Sequence, residues 1–453
     1  MILLVYAVLF VIGALILFAP EAMLLMVWPV LFLYPQRLFY GLLPWNAGLD
    51  DLFILAVGVR ILLFTRKAYP HKATAVVWLA LMMAAMQLFA EITGVFRYPV
   101  LLATVARNGL KGIVFIVFAA TLAKSIRTED DIHRHLKMYL FAVSLAFLVV
   151  LLCYLKPSLG TYWEYYDPEK VRAKAELAGT ALKRGFGPFS GPGSLGLIVI
   201  VSTFLALGLL WHKCRSRLLT FLAVLTLVTG AIAQIIGKSR AGIIGLAGAF
   251  ATMALLSGKR KGVIALLILA IFAGALTGTW IGGFLEAAQA RFSPERFSTD
   301  LATRAHGWKL IVTNPSPAIL LFAEGGDAMG VRLGVAPHNG YIDVLFQWGL
   351  GGVICFAIVV GCVLKWSRFV LRTDDFIPGK ATAWGVLWGS LGVALLALAS
   401  DPWYMTNYRF SLYFLLVIVN VRYGALRYWA VEDSLLPEDA MLVPEYEGMP
   451  GYS

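Results

Sequence analysis

Residues 338–353 read His-Asn-Gly-Tyr-Ile-Asp-Val-Leu-Phe-Gln-Trp-Gly-Leu-Gly-Gly-Val and run straight into a long apolar stretch. His338 therefore stands at the mouth of an apolar helix, an uncommon place for a titratable side chain. A neutral imidazole there can accept a hydroxyl proton near neutral pH. Three arginines suggest what it would work with. Arg184 lies in Lys-Arg-Gly-Phe-Gly-Pro-Phe-Ser-Gly-Pro, Arg240 in Gly-Lys-Ser-Arg-Ala-Gly, and Arg304 ahead of Trp308 and Pro315. A guanidinium stays charged and grips phosphate oxygens with a planar fork, so two of them facing one pocket suit a diphosphate. Glycines beside Arg184 and Arg240 let backbone approach a ligand, and a helix N-terminus adds bare N–H groups and a positive dipole end. Together these parts would bind a lipid diphosphate, activate an alcohol and stabilise the departing diphosphate. Asn339 and Asp343 are supporting positions; Asp343, about one turn into the span, orients a neighbour or caps the helix.

Each residue also has a plainer reading. An arginine at the end of a span serves as a snorkelling anchor, and a histidine at a helix start serves as a cap or interface residue. Gly349 and Gly352 read as notches for helix packing rather than as chemical parts. The functional reading rests on the conjunction, which requires the chain to bring four distant segments to one depth.

The hydropathy pattern supplies that requirement. The chain of 453 residues is 60% hydrophobic and 14% charged, with a net charge of +12. Apolar runs of the ~20 residues needed to cross a hydrocarbon layer recur along it, so the fold class is an all-α polytopic membrane protein. Candidate spans fall near 2–18, 21–34, 50–65, 72–93, 98–123, 136–155, 191–211, 217–236, 239–257, 262–284, 340–364, 380–400 and 405–421. Residues 21–34 are short and carry Pro29, so the count is twelve or thirteen, and residues 2–34 make one crossing or two. The run Ile2–Phe18 has no basic segment before it and reads as a retained span.

Basic clusters orient the set. Arg66, Lys67 and Lys72; Lys124, Arg127, Arg134 and Lys137; Lys213, Arg215 and Arg217; Lys259, Arg260 and Lys261; and Lys365, Arg368, Arg372 and Lys380 fall at alternate turns of the chain. The positive-inside rule puts them all in the cytoplasm, which explains the net charge without nucleic acid. The opposite face then holds 156–190, 237–239, 285–339 and 401–404, and with them Arg184, Arg240, Arg304 and His338. Residues 1–424 form one transmembrane domain that includes the outer loops 156–190 and 285–339. Residues 425–453 form an acidic, Pro-containing cytoplasmic tail expected to be disordered.

Other features carry less. Arg107 and Lys111, at i and i+4 in an apolar stretch, bind a lipid phosphate or mark an interfacial helix start. Tyr162, Trp163, Tyr165 and Tyr166 form an interface belt or a platform for sugar rings. Cys153, Cys214, Cys355 and Cys362 show neither zinc spacing nor a pair in a polar loop.

With these motifs the chain resembles the superfamily of bacterial O-antigen ligases and O-antigen polymerases. His338-Asn339 … Gly349-x-x-Gly352-Val353 is similar to the ligase pattern, and Ser239-Arg240-Ala241-Gly242 to the family's Ser-Arg-Gly/Ala element. Arg184-Gly185 … Phe189-Ser190-Gly191-Pro192 resembles its Arg-x-x-Gly-x-Phe … Pro element, with Gly193 where Asn is commoner, and Arg304, Trp308 and Pro315 resemble the stretch ahead of its histidine. The resemblance implies a GT-C type fold of about twelve helices with a large periplasmic loop, in the bacterial inner membrane. It implies a glycan donor on undecaprenyl diphosphate, used on the periplasmic side by inverting transfer without metal, nucleotide or other cofactor. Ligases take lipid A–core as acceptor; polymerases take another lipid-linked glycan. In that scheme His338 is the catalytic base, and Arg184 and Arg240 hold the diphosphate. A transporter of lipid-linked glycans is a separate class that also places basic residues in a membrane cavity.

Overall fold

A computed structural model describes residues 12, 14–34, 49–64, 74–99, 102–126, 128–160, 188–189, 192–237, 239–256, 294–314, 325, 339–373 and 375–398; at some of these, Arg240, Arg304 and Asp343 among them, only the backbone is described. The regular elements among the described residues are all helices: α1 Pro20–Leu33, α2 Leu49–Phe64, α3 Thr74–Arg97, α4 Leu102–Ser125, α5 Glu129–Leu155, α6 Pro192–Trp211, α7 Arg217–Gly237, α8 Arg240–Leu256, α9 Pro294–Thr313, α10 Gly340–Thr373 and α11 Ile377–Ala397, with a single turn at Pro157–Gly160. Six of them, α4, α5, α6, α7, α10 and α11, contain stretches long and apolar enough to cross a membrane. The chain is a multi-pass, all-α membrane protein. The expected spans 262–284 and 405–421, most of 2–18, and the tail 425–453 lie outside the described residues.

Within the expected outer loop 285–339, α9 occupies Pro294–Thr313. Where one crossing or two is expected over 2–34, Ala19 (φ −134°, ψ 53°) breaks the helix before Pro20, so the described residues 14–18 and Pro20–Leu33 are separate helical pieces. The second piece, α1, has 14 residues. At 1.5 Å per residue this is about 21 Å, short of a ~30 Å hydrocarbon core. It is buried against α2 and α5 instead. There the Trp28 Nε1–H donates to His135 Nδ1 at 3.1 Å, and Trp28 meets the Tyr139 ring edge-on at 5.4 Å.

Helix ends are secured by side chains. Thr128 and Asp131 form a capping box that starts α5, satisfying N–H groups that the first turn leaves unpaired. Lys124, at the end of α4, donates from Nζ to the Ile61 and Leu62 carbonyls at 3.1 and 3.0 Å. It thereby closes the C-terminus of α2, where a cation also suits the helix dipole.

The most buried helix is α6, packed against α5, α7, α8 and α11. It runs antiparallel to α11, and glycines set the spacing: a Cβ on Gly208 would lie 3.0 Å from the Ala381 carbonyl, and one on Gly385 2.7 Å from the Leu205 Cα. Hydroxyl pairs join neighbouring helices, Tyr139 to Ser202 at 2.9 Å and Ser144 to Thr226 at 2.8 Å. In an apolar medium such pairs and small-residue contacts are what bind helices, because burying apolar area from lipid gains little. The four cysteines are free thiols.

Candidate functional site

The starts of α6, α8 and α10 and the end of α11 meet at one end of the bundle, called the motif end below. Ser239 caps α8, its Oγ accepting the Gly242 N–H at 3.1 Å, while its carbonyl accepts from Gln234 Nε2 at 2.9 Å. Gly242 is the point of closest approach to α6. A Cβ there would lie 2.8 Å from the Gly196 Cα, and a Cβ on Gly196 would lie 2.8 Å from the Gly242 Cα. Ser239-Arg240-Ala241-Gly242 is therefore a cap, two first-turn positions and a contact glycine. Arg240 is the first residue of α8, beside the bare N–H groups of that helix.

The same end carries the other motif segments. Phe189, buried ahead of α6, packs against Phe147 of α5 with ring centroids 6.0 Å apart. Asn339 opens α10: its Oδ1 accepts the Tyr341 and Ile342 N–H groups, both at 3.1 Å. Its Nδ2 donates to the Leu398 carbonyl at 3.3 Å, and the Tyr341 hydroxyl donates to the Ala394 carbonyl at 2.9 Å. Asn339 is thus a helix cap that ties α10 to the last turn of α11. Gly392 and Leu396 of α11 in turn pack on Gly245 of α8. A continuous set of contacts runs from Gly196 through Gly242 and Gly245 to Leu398 and Asn339.

Of the residues expected to form the site, Arg184 and His338 lie outside the described residues. Arg240, Arg304 and Asp343 are placed by backbone alone, in α8, α9 and α10. Asn339 is placed completely. Its immediate neighbourhood and that of Arg240 are joined through α11. Among the described residues no group of three or more His, Cys, Asp or Glu assembles.

The reading of Gly349 as a packing notch is corrected. Its φ of 72° and ψ of −168° break α10 into a short N-terminal piece, 340–348, and a longer one, 350–373. Only glycine readily holds that conformation. The break is buried, as non-helical backbone at membrane depth must be. It is also supported from outside the helix, since the Gly325 N–H donates to the Gln347 carbonyl at 3.0 Å. The short piece that Asn339 opens is thereby kinked relative to the rest of α10. Gly349→Ala is expected to cost about 1–3 kcal/mol of stability. Gly361→Ala in the same helix, where a Cβ meets nothing within 4 Å, should be neutral or stabilising. Thermal unfolding of the two variants in one detergent checks the contrast.

Gln87, Glu91 and Asn108 are further polar residues, beyond those read from the motifs. All three are buried within apolar helices, and Gln87 Nε2 donates to Glu91 Oε1 at 3.0 Å. The signal was available, since an ionisable residue inside an apolar span is rare and tends to be functional. No family model, no curated protein and no solved structure matches the chain.

Proposed function

We propose that the protein is a membrane glycosyltransferase of the O-antigen ligase type, with a GT-C type fold of about twelve spans in the bacterial inner membrane. It moves a glycan from undecaprenyl diphosphate to a hydroxyl of lipid A–core on the periplasmic side. The observation that supports the reading is the meeting, at one end of the bundle, of the start of α8, whose first residue is Arg240, and the start of α10, capped by Asn339. Gly242 packs on Gly196 and Asn339 bonds to Leu398, so two motifs about a hundred residues apart share a rigid frame.

In this scheme Arg184 and Arg240 brace the diphosphate, with the α8 N-terminus adding N–H groups. His338 takes the proton of the acceptor hydroxyl as its oxygen attacks the anomeric carbon. The bond from that carbon to the diphosphate oxygen breaks on the opposite face, and undecaprenyl diphosphate leaves with its electron pair. The anomeric configuration inverts. A leaving group already braced by two guanidinium groups needs no separate general acid.

Offering the purified protein a labelled donor with two acceptors in separate reactions tests the reading. Transfer to lipid A–core is the expected result; transfer only to a lipid-linked repeat unit would make the protein a polymerase. A second reading, a carrier of lipid-linked glycans, draws on the break at Gly349, because carriers build sites from discontinuous helices. It requires movement of labelled lipid across a vesicle wall with transfer to neither acceptor.

A further inference from the structure

A cleft of ≈ 130 Å³ separates α3 from α4, lined by Leu81, Ala84, Gln87 and Glu91 on one side and Asn108, Gly112 and Ile113 on the other. Its floor is polar and buried: Gln87, Glu91 and Asn108 are 2%, 5% and 5% exposed. Its rim is apolar and open, with Leu81 37% and Ile113 55% exposed. In a bilayer such a rim faces lipid, so the cleft opens sideways into the membrane. Among the described residues nothing hydrogen-bonds to the Asn108 amide.

Two glycines make the space. A Cβ on Gly109 would have its nearest neighbour at 3.5 Å, the Leu88 Cδ1, and one on Gly112 at 3.8 Å, the Ala84 Cβ. Gly196, Gly242 and Gly385 differ, because there an added Cβ would lie under 3.0 Å from backbone of the next helix. Close packing explains those three and does not explain Gly109 or Gly112, each of which costs the helix about 1 kcal/mol relative to alanine. What they preserve is the void beside Glu91.

The void lies near the motif end. Glu91 is six residues before the end of α3 and Asn108 six after the start of α4 (97 − 91 and 108 − 102), a depth of about 9 Å at 1.5 Å per residue. Gly325 joins this cleft to α10: its N–H bonds to Gln347 beside the break, and a Cβ on it would lie 3.0 Å from the Glu91 Cα.

We propose that this cleft binds the hydroxyl-bearing headgroup of a glycolipid that enters from the bilayer. The chemistry fits. A carboxylate accepts hydrogen bonds from hydroxyls, and the Asn108 amide both donates and accepts, as a sugar edge requires. The volume holds a few hydroxyl groups or waters. The identification of the ligand as a sugar lipid rests on the glycan-transfer reading; the existence of a lateral polar cleft does not.

The test uses the full chain in nanodiscs with two photoreactive probes, monoglucosyl diacylglycerol and the same diacylglycerol without the sugar. The wild type should be labelled within 81–116 about tenfold more by the glucosyl probe, the discrimination expected of one or two buried hydrogen bonds. Glu91→Gln should reduce that preference about tenfold. Gly112→Val, which adds bulk beside the void and keeps Glu91, should reduce it as well, so a folding defect in one variant does not decide the matter. Equal labelling by the two probes, a preference unchanged in both variants, or full competition by phosphatidylethanolamine would overturn the proposal. Indifferent labelling in a protein that still transfers glycan defeats only the cleft; selective labelling in a protein that transfers nothing defeats only the transferase reading.

Discussion

His338→Ala is expected to lower glycan transfer by about 10²–10⁴-fold, the range for removing a positioned general base, while donor lipid still binds. The two effects separate on the proposed mechanism, in which the imidazole would act on the acceptor hydroxyl and the arginines on the diphosphate. Donor binding would then draw on charge-assisted hydrogen bonds from Arg184 and Arg240, which the substitution leaves in place. His338 immediately precedes Asn339, and it is Asn339 whose side chain caps α10 and holds Leu398. Removing the imidazole therefore leaves the cap, the helix start and the tie to α11 intact. Single-turnover transfer and donor retention, measured on the same purified sample, separate the outcomes. Wild-type transfer by His338→Ala would sink the assignment of the base.

The second large effect comes from a residue with no chemistry of its own. Gly242→Val places a Cβ 2.8 Å from the Gly196 Cα and 2.7 Å from Gln234 Nε2. Helix backbone cannot give way as a flexible side chain can, so α6 and α8 must separate. Overpacking of this kind costs about 1–3 kcal/mol. The added bulk also sits two residues from Arg240, and a misplacement of about 1 Å in a catalytic group can cost on the order of 10²-fold in rate. Gly385→Ala provides the comparison. Its Cβ would meet the Leu205 Cα at 2.7 Å, further along α6 from the motif end. It should lower the unfolding midpoint to a similar extent but leave the turnover of folded protein nearly unchanged. If both variants lose turnover equally, the contact at Gly242 is structural only.

Much of this architecture is legible in the chain because bilayer thickness imposes a length on every crossing. The expected spans 50–65, 191–211 and 217–236 nearly coincide with α2, α6 and α7. Where ends differ, charged residues are the reason. The span expected at 340–364 is a helix to Thr373, because Lys365, Arg368 and Arg372 leave the hydrocarbon without leaving the helix. The start of α5 is extended in the same way by Glu129, Asp130 and Asp131, which suit a helix N-terminus. Helix α9 gives no hydropathy signal, because its residues average close to neutral. Its signal is periodic instead: Phe297, Leu301, Trp308 and Ile311 recur at helical spacing, and Pro294 suits a first helical position.

The site is legible to a smaller degree. Ser239 and Asn339 act as helix caps, a role that the sequence suggests for His338 and Asp343 instead. The break at Gly349 is not recognisable, because glycine inside an apolar run reads equally as a packing contact. The buried Glu91 was visible as an ionisable residue in a span, but the void beside it depends on Gly109 and Gly112 failing to meet a neighbour, a property of packing rather than of spacing.

If Arg184, Arg240 and His338 line one pocket, a structure of the protein with its undecaprenyl diphosphate-linked donor bound will show both guanidinium groups on the diphosphate oxygens. The His338 imidazole will then sit beside the anomeric carbon, with room for an acceptor hydroxyl about 3 Å from the ring. A donor seated away from the motif end, or His338 more than ~15 Å from both arginines and so beyond any hydrogen-bond reach, would contradict it.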